Sequence, residues 1–204
     1  MANPQTAKER EARKKFIHAR HRVVFTGACA FIAAAVLISL PFVLSSSNSK
    51  VTDASSSDNF GVTAPCAPKD TVAADTKTIT VRVLNGTLKV GLGGVVQEAL
   101  DLRGFITKDA ENYSDTAVSR TEIIFGKNSI VDAYTLLGHF NDAALHMDDR
   151  EDKLVDVVIG DTFDNLNPEK DVLTSVGQPL KSVKGCVPSD SMTNLPIAPP
   201  HEAV

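Results

Sequence analysis

The chain has 204 residues, 43% of them hydrophobic and 23% charged, with a net charge of −4. The charge is divided: residues 1–22 carry seven basic side chains against Glu9 and Glu11, and everything after them sums to −9. An acidic main body whose arginines (Arg82, Arg103, Arg120 and Arg150) are scattered along the sequence argues against nucleic acid as a partner.

Residues 1–22 form a basic segment ahead of a run, residues 23–44, with no charged side chain. Twenty-two residues at a helical rise of about 1.5 Å cover about 33 Å, enough for the hydrocarbon core of a bilayer. The cations before it predict a cytoplasmic amino terminus and a single-pass membrane anchor with the rest of the chain outside the cytoplasm. Ala28-Cys29-Ala30 comes too early in the apolar run for a signal-peptide cleavage site, so the anchor is expected to stay attached. Cys29 falls within the span, leaving Cys66 and Cys186 in an oxidising compartment, where they predict one disulfide. Neither has a second ligand at zinc-site spacing. Residues 45–65 read as a Ser-rich linker, residues 66–188 as one extracytoplasmic domain, and residues 189–204 as a Pro-rich disordered tail.

Within the domain, residues 78–84 alternate Ile79, Val81 and Val83 with polar neighbours, the mark of a half-buried strand. Leu92, Val95, Val96, Ala99 and Leu100 then follow helical spacing, with Gly104 placed to end the helix. Residues 105–110 predict a second strand and residues 121–125 a third. Ser129 and Asp132 have capping-box spacing at the start of a second helix, whose apolar face is Ile130, Ala133, Tyr134 and Leu137 and which also carries His139. Leu145 and Met147 suggest a short edge strand, and residues 154–159 a last strong one. The predicted fold is α+β: a mixed sheet of about four to five strands with two helices on one face, in βαββαβ order, after one transmembrane helix.

The turn after the first strand invites a phosphate-binding reading, which its spacing excludes. Gly86 and Gly91 are followed by Leu92-Gly93 where a P-loop needs Lys-Ser/Thr, and the glycines do not fit a dinucleotide fingerprint. Asn85, Gly86 and Gly91 are therefore expected to be structural turn residues, Asn85-Gly86 through positive backbone φ. His139 and His146 lack a metal-binding partner at helical spacing, Asp161 and Asp164 lack the calcium-loop pattern, and the acidic run around Arg150 reads as a solvated turn. No catalytic, cofactor or metal residues are assigned.

Val83-Leu84-Asn85-Gly86-Thr87 with Gly91-Leu92, Leu100-Asp101-Leu102-Arg103-Gly104-Phe105, Thr121-Glu122-Ile123-Ile124-Phe125-Gly126 and Val157-Val158-Ile159-Gly160-Asp161-Thr162-Phe163 occur in that order. Together, over residues 78–164, they resemble the LytR C-terminal domain family. Leu88 stands where the family often has a glycine. Such domains commonly follow a LytR–CpsA–Psr phosphotransferase domain, for which the linker between span and domain leaves no room. The resemblance implies a noncatalytic, membrane-anchored envelope protein of an actinobacterial type, contributing to envelope integrity and binding a cell-wall polymer or an envelope protein. The alternatives are a regulatory partner of a separate LytR–CpsA–Psr glycopolymer ligase and an envelope enzyme of unrecognised site.

Overall fold

A computed structural model describes residues 58–172 and 174–204. The basic segment, the uncharged span and most of the Ser-rich linker lie outside the described residues.

Six strands and two helices make up the domain: β1 (Thr80–Asn85), α1 (Leu92–Leu102), β2 (Ile106–Thr107), β3 (Glu111–Asn112), β4 (Thr121–Phe125), α2 (Ile130–Leu137), β5 (Ala143–Met147) and β6 (Val155–Ile159). The sheet order is β2-β1-β6-β4-β5, with β3 also on β1. β1 runs parallel to β2, β3 and β6, and β4 parallel to β5, while β4 and β6 are antiparallel. The last strand in sequence therefore lies in the middle of the sheet, and all five of its residues are buried.

Strand alternation divides the side chains between two faces. Val81, Val83, Ile123, Phe125, Leu145, Val155, Val157 and Ile159 join Val96 and Leu100 of α1 and Ile130, Ala133, Tyr134 and Leu136 of α2 in one apolar core. Both helices thus cover the same face, as the alternation and helical spacing predict. On the other face Leu84, Ile124 and Val158 pack with Val118 and the half-buried Tyr113 in a smaller cluster.

Several expectations need correction. Of the predicted strand over residues 105–110 only Ile106–Thr107 is formed, and a second short strand, Glu111–Asn112, follows beyond it. Thr80 pairs with Ile106, but Leu84 pairs with Glu111, so the outer chain carries one extra residue and bulges between them. Val95 is 65% exposed while Val96 is 2% exposed, because the buried stripe of α1 runs through Gly93, Val96 and Leu100. The Ser129–Asp132 capping pair is not made: a 3-10 turn at Lys127–Ser129 leads into α2, and the Ser129 hydroxyl donates instead to the Asp152 carbonyl at 3.5 Å. His139 lies just beyond α2 and is buried.

The ends of the domain are also tied down. Cys66 and Cys186 are joined, with Cα atoms 4.9 Å apart and 120 residues between them in sequence. Closing a loop of that length stabilises by about 4–5 kcal/mol in the chain-entropy model. Beside the bridge, Cys66 N–H donates to the Val187 carbonyl and Val187 N–H to the Ala64 carbonyl. Asn59, from the sequence expected to be linker, lies along the edge strand: its amide donates to the Leu145 carbonyl and accepts from the Leu145 N–H, at 3.1 and 2.7 Å. It occupies hydrogen-bonding groups that β5 would otherwise present at an open edge.

Candidate functional site

The turn after β1 is built by side chains. Asn85 Oδ1 accepts from the Thr87 N–H at 3.1 Å and from the Thr87 hydroxyl at 2.9 Å, while its amide donates to the Lys89 carbonyl. Thr87 Oγ1 in turn accepts from the Lys89 N–H. This is an Asx turn reinforced by a hydroxyl, and it explains an Asn-Gly-Thr sequence without any phosphate. Gly86 is not among the glycines with positive φ, contrary to expectation. It is required by crowding: a Cβ there would sit 2.7 Å from Val118 Cγ2 and 2.9 Å from the Ile159 carbonyl oxygen. Gly91 does have φ +80 and opens α1 in the left-handed region.

Exposed aliphatic side chains occur on this turn, on α1 and on β2, and are termed the rim. Leu88 and Val90 flank Lys89 and are almost wholly exposed. Val95 and Leu102, seven residues apart on α1, project from one side of the helix, and Ile106 on β2 is half exposed. Aromatic side chains are absent from this rim.

The remaining sequence candidates do not converge on a site. His139 is buried against Phe105, edge to face at 5.0 Å, and its Nδ1 lies 3.1 Å from Arg103 Nη1. Since the guanidinium only donates, Nδ1 accepts and the ring is neutral. Burial first, and then the positive charge of Arg103, lowers its pKa to about 4. Arg103 also donates to the Asn167 carbonyl, so the cluster ties the loop after β6 to α1. His146 is half-buried, 3.9 Å from Glu122, and burial lowers its pKa against the opposing pull of that carboxylate. Asp161 and Asp164 are exposed. Among the described residues no group of three or more His, Cys, Asp or Glu could hold a metal ion.

The acidic run around Arg150 holds what the sequence analysis missed. It is not a solvated turn: Asp148 is 1% exposed, Arg150 5% and Asp156 0%. Arg82 grips Asp156 through Nε and Nη2 at 2.8 and 2.9 Å, in register across β1 and β6. Arg150 Nη2 reaches the same carboxylate at 2.9 Å and Asp148 at 2.7 Å, and Arg150 Nη1 donates to the Leu154 carbonyl. Two cations and two anions balance, and no buried side-chain polar atom among the described residues lacks a partner. Burial opposes the Arg150 charge, but its hydrogen bonds to the Asp148 carboxylate and the charge of Asp156 outweigh it and raise its pKa. One signal was present in the sequence. Arg82 and Asp156 are lone charges inside otherwise apolar strands, where an ion is retained only when paired.

Residues 78–163 are similar to the LytR_C family model, described as LytR cell envelope-related transcriptional attenuator, and the matched segment is 86 of the 204 residues. It contains the Asn85–Thr87 turn, both helices and all six strands. The chain is also similar to the soluble domain (residues 71–217) of a conserved hypothetical secreted protein, an Rv2700 ortholog, from Mycobacterium marinum. Identity is 26% over 58% of this chain and 90% of that one, with a TM-score of 0.49. No curated protein matches the chain. Among the described residues no helix is long and apolar enough to cross a membrane.

Proposed function

We propose that this is a noncatalytic, membrane-anchored extracytoplasmic protein that contributes to cell-envelope integrity by binding another envelope component. The observation that carries the reading is the match of residues 78–163 to a family described as cell envelope-related. Three features support it: the uncharged run at residues 23–44 after a basic segment, a disulfide suited to an oxidising compartment, and buried polar groups that are paired with one another. The rim of Leu88, Val90, Val95, Leu102 and Ile106 is the contact surface in this reading. Its aliphatic, aromatic-free chemistry suits an envelope protein better than a hydrophilic wall polymer.

Photocrosslinking in intact cells tests this. A photoreactive residue at Val90 or Leu102 is expected to capture a defined envelope protein, while one at exposed Asp164 on the loop after β6 gives no such adduct. Capture of wall polymer at the rim would keep the envelope role and correct the partner. Adducts with cytoplasmic proteins alone would refute the topology.

A further inference from the structure

The tail, expected to be disordered, lies on the domain. The Pro196 carbonyl accepts from Asp149 N–H at 3.1 Å, Ala198 N–H donates to Asp149 Oδ1 at 2.8 Å, and the Pro200 carbonyl accepts from Arg82 Nη1 at 2.8 Å. His201 Nε2 lies 2.8 Å from Asp152 Oδ2, and its Nδ1 2.7 Å from the Pro199 carbonyl. Both of those partners are acceptors, so the two bonds form together only when the ring is protonated. The domain thus touches backbone at every second residue, 196, 198 and 200, and an imidazole at 201. The side chains of Pro196, Ile197 and Pro200 face solvent.

The two sides of this contact are unequal. Arg82 is fixed by its paired bonds to Asp156, which leave Nη1 for the Pro200 carbonyl. Asp149 sits between Asp148 and Arg150, both locked in the buried ion network, and Asp152 Oδ1 is held by the Leu154 N–H. Arg82 and Asp152 are therefore positioned by bonds that do not involve the tail. The tail contributes no large buried side chain between Pro196 and His201. Prolines limit its unbound conformations to extended ones, so little order is lost on docking.

We propose that Arg82, Asp149 and Asp152 form a docking site for an extended, proline-rich peptide bearing a basic residue, and that the chain's own tail fills this site until such a segment of a partner protein displaces it. The site is recognised by backbone carbonyls two pairs of residues apart, an N–H between them, and a cation beyond. It is distinct from the aliphatic rim and does not depend on the envelope reading.

The test compares the full chain with the same chain ending at Asn194, both in detergent micelles, using a fluorescein-labelled peptide of residues 195–204. The shortened chain is expected to bind the peptide saturably. The full chain should bind it about 100-fold more weakly, because a tethered competitor acts at millimolar effective concentration. In the shortened chain Asp152→Asn should weaken binding about tenfold, the loss of a charged hydrogen bond. The peptide carrying His201→Lys should still bind, and His201→Ala should weaken it to the same degree as Asp152→Asn. A shortened chain that keeps its circular dichroism yet binds no peptide overturns the proposal, as does equal binding by the full chain. A full-chain dimer that vanishes on shortening would show that the tail serves a second copy, and overturns it too. Should the shortened chain unfold, hydrogen exchange on the full chain decides. The Ala198 amide is expected to exchange far faster than the amides of β6, and equal protection would mean a permanent part of the fold.

Discussion

The two faces of the sheet are held down by different physics. On one, two helices bury Val81, Val83, Val155, Val157 and Ile159 under Val96, Leu100, Tyr134 and Leu136. That burial is non-directional and tolerates approximate shape. On the other, no helix is present among the described residues. Leu84, Ile124 and Val158 share the face with Arg82 and Asp156, under Tyr113, Val118 and the tail. There stability rests on geometry, because each charge is tolerated only while its partners remain in place. A β-sheet can thus have one face closed by bulk and the other by complementary charges, and the two should fail differently.

The largest expected effect is on the charged face. Asp156→Ala leaves Arg82 and Arg150 buried without their shared carboxylate and should destabilise by about 3–5 kcal/mol, read from urea unfolding. A loss below 1 kcal/mol would mean that water enters the network and that the face is not sealed.

Next is acid. His139 is buried neutral with a pKa of about 4, against about 6.5 when unfolded. The unfolded chain therefore takes up the proton first, so this contribution is complete above pH 6.5 and is lost as pH falls from 6.5 to about 4. The full loss is about 3 kcal/mol. Unfolding free energy measured across that window should fall, and His139→Gln should flatten the fall. An unchanged slope would place the histidine in water.

The smallest effect tests the apolar face on a single helix. Val96→Ala should lower stability by about 1–2 kcal/mol, whereas Val95→Ala should change it by less than about 0.5 kcal/mol. Equal losses would contradict the assigned orientation of α1.

This contrast also explains what the sequence could show. Period-two alternation exposed β1 and the outlines of β4 and β6, and helical spacing exposed α1 and α2, because the apolar face is written locally. The position of β6 between β1 and β4 depends on pairings made across 74 residues to β1 and 30–36 residues to β4, which no local pattern records. The same is true of the ion network: Arg82 and Asp156 are 74 residues apart, and Arg150 looked like a surface residue because its neighbours in sequence are acidic. Proline content predicted a disordered tail, whereas Met192 and Leu195 pack against the core. It could not show that four backbone and imidazole contacts would seat it. For the turn, Asn85 and Gly86 were legible as structural, but the reason for Gly86 is the approach of Val118 and Ile159, again distant in sequence.

The proposed envelope role is tested most directly by permeability. Cells lacking this chain should admit more of an excluded dye and be more sensitive to wall-directed antibiotics, and the full chain should restore both. A version whose residues 23–44 are replaced by a cleavable export signal should restore neither, because the domain is then no longer held at the membrane. Unchanged permeability in the deletion strain, or full rescue by a chain kept in the cytoplasm, would contradict the account.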